Sequence, residues 1–209
     1  MCGIFGFIKN RENLTDQEIE YARKKTKKLS YRGPDSYGEW KKDNKFIGVQ
    51  RLSINDLTES GDQPFLYEDK ALVFNGEIYN YLELKTEMEN QGYIFKTSSD
   101  TEVLYSLLLI KGIDKTLKII KGMFSFIFFD SKTNTVYGAR DHFGQKPFHY
   151  SFLNNTFTVA SEIPPLLNLL DKNEVNEVSF RTYLCSNGII DPSKTFFKEI
   201  NTLKAGHYI

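Results

Sequence analysis

Met1-Cys2-Gly3-Ile4-Phe5-Gly6-Phe7-Ile8 opens the chain. From Cys2 to Ile8 the run is continuously apolar and of strand length, so it predicts a strand buried on both faces. Methionine is normally trimmed when a small residue follows it, which would leave Cys2 as the mature N-terminus. A terminal cysteine carries a thiol titrating at about 8.5 and an α-amine at about 8. Nucleophile and base then sit on one residue, the logic of an N-terminal nucleophile. The plain alternative is a small buried residue beginning a strand, because free cysteine is among the most buried residue types.

Outward from that strand, helical and strand patterns alternate. Thr15 to Leu29 predicts a helix: Thr15-x-x-Glu18 is a capping box, and Ile19, Ala22, Thr26 and Leu29 share one side. Arg32-Gly33-Pro34-Asp35, within Tyr31 to Ser36, has the turn residues of a loop. Strands are expected at 37–41 and 45–53, then a long loop from Asn55 to Pro64. Lys70 to Asn75 reads as a strand and Tyr79 to Gln91 as a helix closed by Gly92. Ser99-x-x-Glu102 is a second capping box, opening a helix through Leu109 that stops near Gly112. Met123 to Asp130 is almost wholly apolar, a strand covered on both faces. Strands at 135–140, 148–153 and 156–160 follow, the last two joined by Asn154-Asn155, and then a helix at Glu177–Cys185. Hairpins require antiparallel pairing, and the helices must cover a sheet face. The class is α+β, and without linker or repeat the economical reading is one domain over residues 1–209.

Composition removes several classes of function. Lys+Arg and Asp+Glu stand at 27 each, so no global field draws the chain to nucleic acid or an anionic membrane. The basic run from Arg23 to Lys28 falls on a helical pattern and reads as a solvated face. The two cysteines, Cys2 and Cys185, build neither a disulfide framework nor a Cys/His zinc site. The opening apolar run is too short for a secretory signal or a membrane span, so the expected location is the cytoplasm. There is no Gly-x-Gly-x-x-Gly, no phosphate-loop Gly-x4-Gly-Lys and no Gly-x-Ser-x-Gly. His142, His149 and His207 lack partners at metal spacing and read as structural, so no metal site is expected.

Four further places carry chemistry. Arg51, in Arg51-Leu52-Ser53-Ile54, ends a strand where its guanidinium could fork onto a carboxylate, although for an isolated arginine a surface ion pair is the commoner explanation. Asn75-Gly76-Glu77 is the strongest short hairpin signal, yet a helical pattern follows it. A strand ending there before a helix could present a side-chain amide and a backbone N–H as an oxyanion hole. Asp100, one residue inside a capped helix, either complements the helix dipole or holds a substrate ammonium. Ala139-Arg140-Asp141-His142-Phe143-Gly144-Gln145-Lys146-Pro147 is a polar loop between strands to which its residues alone assign no chemistry.

In order along the chain, these segments resemble the glutaminase domain of class II glutamine amidotransferases, most closely that of the glutamine-hydrolysing asparagine synthetases. The matching pieces are Met1-Cys2-Gly3-Ile4, Arg32-Gly33-Pro34-Asp35, Arg51-Leu52-Ser53-Ile54, Phe74-Asn75-Gly76-Glu77-Ile78-Tyr79-Asn80 and Ser99-Asp100-Thr101-Glu102. Gly122-Met123-Phe124-Ser125-Phe126, Ala139-Arg140-Asp141 with Gly144 and Lys146-Pro147, and Ala160-Ser161-Glu162-Ile163 continue the series. Each is weak alone; their collinear order is not.

The resemblance implies a four-layer αββα sandwich, two antiparallel sheets between helices. It implies Cys2 as the nucleophile on the glutamine carboxamide, with its own α-amine shuttling the proton. Asn75 and the Gly76 N–H would form the oxyanion hole. Arg51 would bind the substrate α-carboxylate, Asp100 helped by Glu77 its ammonium, and the backbone of Leu52, Ser53, Ile54 and Asn55 would line the pocket. The glutaminase part needs no cofactor; ATP and magnesium are expected only for a C-terminal synthetase domain absent from this chain. The expected partners are L-glutamine, that synthetase domain and a second copy in a homodimer, but neither nucleic acid nor membrane. Two features depart from the pattern: Tyr31 stands where many relatives carry His, and no Ser-Gly-Gly-x-Asp-Ser phosphate loop follows. The expectation is therefore a piece of a longer amidotransferase. A stand-alone amidohydrolase, a glutaminase serving another acceptor such as a sugar, and a non-catalytic glutamine-binding module are the alternatives.

Overall fold

The computed structural model describes residues 1–54, 56–167, 173–187 and 191–209. In chain order the elements are β1 (Gly3–Lys9), α1 (Asp16–Lys27), β2 (Ser36–Lys42), β3 (Lys45–Arg51), β4 (Phe65–Tyr67), β5 (Lys70–Ile78), α2 (Tyr81–Asn90) and α3 (Asp100–Ile119). They continue with β6 (Gly122–Asp130), β7 (Thr135–Arg140), β8 (His149–Leu153), β9 (Thr156–Ala160), α4 (Glu177–Ser186) and β10 (Asn201–Thr202). One sheet has the order β10-β8-β9-β1-β3-β2 and the other β4-β5-β6-β7. Every pairing between named strands is antiparallel.

Period-two alternation builds the layers. In β1, Ile4 faces the second sheet while Phe5 and Phe7 face α1. In β5, Ala71 and Val73 turn to the first sheet, and Leu72 and Phe74 turn to the helical side. Ile127 and Phe129 of β6 meet Ile4, Ile47 and Val49 between the sheets; Phe124, Phe126 and Phe128 pack beneath α2 and α3. The stack is α1, first sheet, second sheet, then α2 with α3: the αββα sandwich that the resemblance implied.

Local chemistry explains most boundaries. Both arms of the capping box form at α1, with Thr15 Oγ1 accepting from the Glu18 N–H and the Glu18 carboxylate accepting from the Thr15 N–H. Such a cap is worth about 1 kcal/mol. Asn154 and Asn155 both adopt positive φ, as a two-residue hairpin between β8 and β9 requires.

Four details differ from expectation. Ser99 caps α3 through the Thr101 N–H, but Glu102 folds back to the N–H groups of Lys96 and Thr97, so the second capping box does not close. Gly112 does interrupt that helix, at φ 72°, yet helical backbone resumes and runs to Ile119, because glycine absorbs the break without steric cost. Lys25 leaves the solvated face: it is buried, and its Nζ donates to Leu167 O. Most consequentially, β5 does not end at Asn75 but runs through Gly76 and Glu77 to Ile78. No described helix is long and apolar enough to cross a membrane.

Candidate active site

The continuation of β5 creates the site. On one side β5 pairs with β6 along its length, with Asn75 opposite Ser125, Gly76 opposite Phe124 and Ile78 opposite Gly122. On the other side β4 covers only Lys70 to Leu72, so the rest of that edge is open to other donors and acceptors. In an antiparallel ladder, alternate residues turn their N–H groups to opposite edges. The Tyr79 N–H goes to Lys121 O, on the β6 side. The Phe74 N–H instead donates to Gln63 Oε1 at 2.6 Å and the Ile78 N–H to Asp100 Oδ2 at 2.9 Å. Gly76 lies between these two, and its N–H faces the same open edge. A side chain at this position would be impossible without movement, since a Cβ on Gly76 would lie 2.2 Å from Met123 O.

A cleft lies at this edge, with a cavity of about 90 Å³. Cys2, Arg51, Leu52, Ile54, Asn75, Gly76 and Asp100 all line it, so seven of the ten residues expected from the sequence converge. Ser53 and Glu77 do not line it; the Ser53 N–H donates to Asp35 Oδ2. Asn55 lies outside the described residues. Asp56, Gln63, Ser99, Met123 and Lys146 also line the cleft and were not anticipated. For Lys146 the signal was its place in the polar loop after β7; for Asp56 and Gln63 it was the length of the loop that carries them.

Cys2 is 8 % exposed. Its Sγ accepts from the Leu52 N–H at 3.4 Å and lies 3.7 Å from Leu52 O. Burial pushes the thiol pKa up; the Leu52 N–H, the N-terminal amine and Arg51 pull it back down. The amine in the structure belongs to Met1. Burial lowers its pKa, Cys2 opposes this, and Arg32 and Lys146 act with burial. Arg32 holds the Cys2 carbonyl through Nε at 3.2 Å and pairs with Glu162, which ties two of the matching motifs to Cys2.

Arg51 is almost fully buried, and part of its guanidinium is already engaged. Nη1 pairs with Asp62 Oδ1 at 2.9 Å and Nη2 donates to Asp56 O, while Nε has no partner among the described residues. Asp100 is held at the first position of α3 by the Ile78 N–H. Asn75 is fully buried, with Nδ2 3.5 Å from Ser125 Oγ and Oδ1 lacking a partner. A half-turn of the amide exchanges the two ends, and the oxygen and nitrogen are told apart only by their hydrogen bonds. The Ser125 hydroxyl can accept from Nδ2 or donate to Oδ1, so it can hold either orientation; the half-turned one places Oδ1 at Ser125 and Nδ2 pointing away from β6.

This fold and this cleft, with a cysteine at the head of the central strand, define a class II glutamine amidotransferase. The chain belongs to that family: the family model described as a glutamine amidotransferase domain matches residues 1–209. Asparagine synthetase [glutamine-hydrolyzing] 1 of Bacillus subtilis is 37 % identical over 92 % of this chain and 31 % of its own. Asparagine synthetase [glutamine-hydrolyzing] 2 of the same organism is 39 % identical over 100 % of this chain and 28 % of its own. The chain thus spans about a third of the length of these relatives. Among solved structures, glutamine phosphoribosylpyrophosphate amidotransferase from B. subtilis, complexed with ADP and GMP, superposes with a TM-score of 0.66. That match has 25 % identity and covers 79 % of this chain and 43 % of the other. The chain is therefore a glutamine amidotransferase domain homologous to the glutaminase domains of asparagine synthetases.

Proposed function

We propose that the chain hydrolyses the side-chain amide of L-glutamine through a thioester on Cys2, after Met1 is removed. It would pass the ammonia to a synthetase domain that uses ATP and magnesium to make asparagine in the cytoplasm. The observation that carries this reading is the convergence of Cys2, the unladdered Gly76 N–H, Asn75, Arg51 and Asp100 on one cleft.

The chemistry follows from those positions. Arg51 offers its guanidinium to the α-carboxylate and Asp100 its carboxylate to the α-ammonium, which sets the carboxamide carbon before Cys2. The thiol proton passes to the freed α-amine, and the thiolate attacks the carboxamide carbon. The Gly76 N–H and Asn75 Nδ2 receive the oxyanion as it forms. Collapse breaks the C–N bond while the ammonium returns its proton to the leaving nitrogen, and ammonia departs. Water then attacks the γ-glutamyl thioester and gives a proton to the amine. The thiol is regenerated and glutamate released, so the sum is glutamine plus water to glutamate plus ammonia. The names of the relatives favour aspartate as the final acceptor over a sugar. The test is ammonia release from glutamine by the purified chain. Wild type is expected to be active and Cys2→Ala inactive with its thermal stability kept; activity surviving in Cys2→Ala would rule the mechanism out.

A further inference from the structure

The polar loop after β7 is a sequence motif that the mechanism above leaves without a task. Its construction is elaborate. The fully buried Asp141 carboxylate accepts from the backbone N–H groups of Lys146 and Gln145 at 2.9 Å, Phe143 at 3.1 Å and Phe124 at 3.3 Å. From the other side the Arg140 guanidinium donates to Lys146 O at 2.7 Å, Gly144 O at 2.6 Å and Leu203 O at 2.7 Å. Gly144 takes φ 66° to allow the turn. A buried carboxylate and a half-buried guanidinium thus clamp the backbone of Lys146 at both its N–H and its C=O.

What that clamp delivers is an ammonium in the cleft. Lys146 is 5 % exposed and lines the same cavity as Cys2 and Asn75. Its Nζ donates to Met1 Sδ at 3.1 Å and makes no ion pair among the described residues. A lysine that merely covers apolar surface carries its head group to water. A buried ammonium without an acid partner is costly, so the loop holds it there at the expense of stability. Once Met1 is removed, the sulfur that the ammonium contacts goes with it, leaving the cation in the cleft that Cys2 also lines.

We propose that Lys146 is a positioning residue for Cys2 chemistry, a fixed cation that keeps the freed α-amine neutral and draws the thiol toward thiolate. The inference rests on the functional reading above. Neighbouring charges are consistent with it. Arg32, from the segment after α1, acts with Lys146 as a cation on the Met1 amine that precedes Cys2, while Asp35 opposes. Arg51 of β3 and Asp100 of α3 bear on the thiol in opposite directions. Glu77 of β5 and Asp141 favour the charged form of Lys146, whereas burial and Arg32 disfavour it. Glu162 is engaged by Arg32. A like charge beside an amine lowers its pKa, and a cation beside a thiol does the same.

The test uses the processed full chain with Lys146→Met and Lys146→Arg. Two readouts are followed against pH: kcat/KM for glutamine, and the rate of Cys2 alkylation by iodoacetamide, which needs no turnover. With the cation gone, both pKa values rise, so both acid limbs should move to higher pH by about one unit. Below the amine pKa that leaves about a tenth of the base, hence a roughly ten-fold fall in kcat with KM little changed. Lys146→Arg should restore both profiles. Unmoved profiles in Lys146→Met, or a rise in KM at constant kcat, would overturn the proposal. If Lys146→Met does not fold, Lys146→Gln against Lys146→Arg in the alkylation assay decides on the same criteria. Wild type lacking glutaminase activity would instead refute the functional reading, and an active wild type with dead Cys2→Ala and unmoved Lys146→Met would refute this inference alone.

Discussion

Asn75 shows how much of the chemistry depends on single atoms. Its amide can act as an oxyanion donor only if Nδ2, and not Oδ1, faces away from β6. Ser125 is the side chain opposite it, equally buried, and supplies a hydroxyl that can hold the amide from the β6 side. Replacing Ser125 by Ala removes that anchor and leaves the amide free to turn. A neutral hydrogen bond of this kind is worth about 1 kcal/mol, so Ser125→Ala should lower kcat about five-fold while KM for glutamine stays near wild type. Steady-state kinetics check this, and an unchanged kcat would mean that the hydroxyl does not orient the amide. Neither Ser125 nor Lys146 was legible in the sequence as functional. Ser125 sits in an apolar strand, and only the register of β5 against β6 places it across from Asn75. Lys146 sits in a loop whose purpose appears once Arg140 and Asp141 are seen to clamp it. Cys2, Arg51 and Asp100 could be singled out because each lies at an element boundary: just before β1, at the end of β3 and at the start of α3.

At the scale of elements, periodicity found strands and helices well and their ends less well. The capping box at Thr15 and the paired asparagines at 154–155 are local signals with local consequences, and both form as read. The end of β5 was misread because Asn-Gly is a turn signal by backbone preference, whereas here Gly76 is needed for close approach to Met123. That need belongs to the neighbouring strand and is invisible in the run itself. Strand β8 carries a second tertiary effect. His149 accepts or donates through Nδ1 to Thr202 Oγ1 at 3.0 Å, beside β10. Burial, with Arg140 and Arg32, lowers its pKa from 6.5 to about 4. A histidine with a depressed native pKa binds its proton more readily when unfolded. Its contribution to stability is therefore complete above pH 6.5 and is lost as the pH falls toward about 4. The melting temperature of wild type should decline over that window, and His149→Gln should flatten the decline. Parallel pH dependence in the two proteins would show that other groups govern it.

For the whole molecule, the layers explain why the site lies where it does. The two sheets meet through Ile4, Val49, Val73 and Ile127, and the cleft opens at the end of that interface where β1 begins and β3 ends. Cys2, at the head of a central strand, is thereby fixed beside the sheet interface and lines the same cleft. The α+β class was legible from alternating patterns; the four layers were not, because period two gives two faces to a strand without saying what covers them. The central claim is that Cys2, as the processed N-terminus, carries the glutamyl group during turnover. It is tested most directly by acid-quenching the enzyme with glutamine and measuring the N-terminal peptide by mass spectrometry. The account predicts a peptide beginning at Cys2 that carries one glutamyl group, lost on treatment with hydroxylamine. Turnover with Met1 retained, or with Cys2 unmodified while ammonia accumulates, would contradict it.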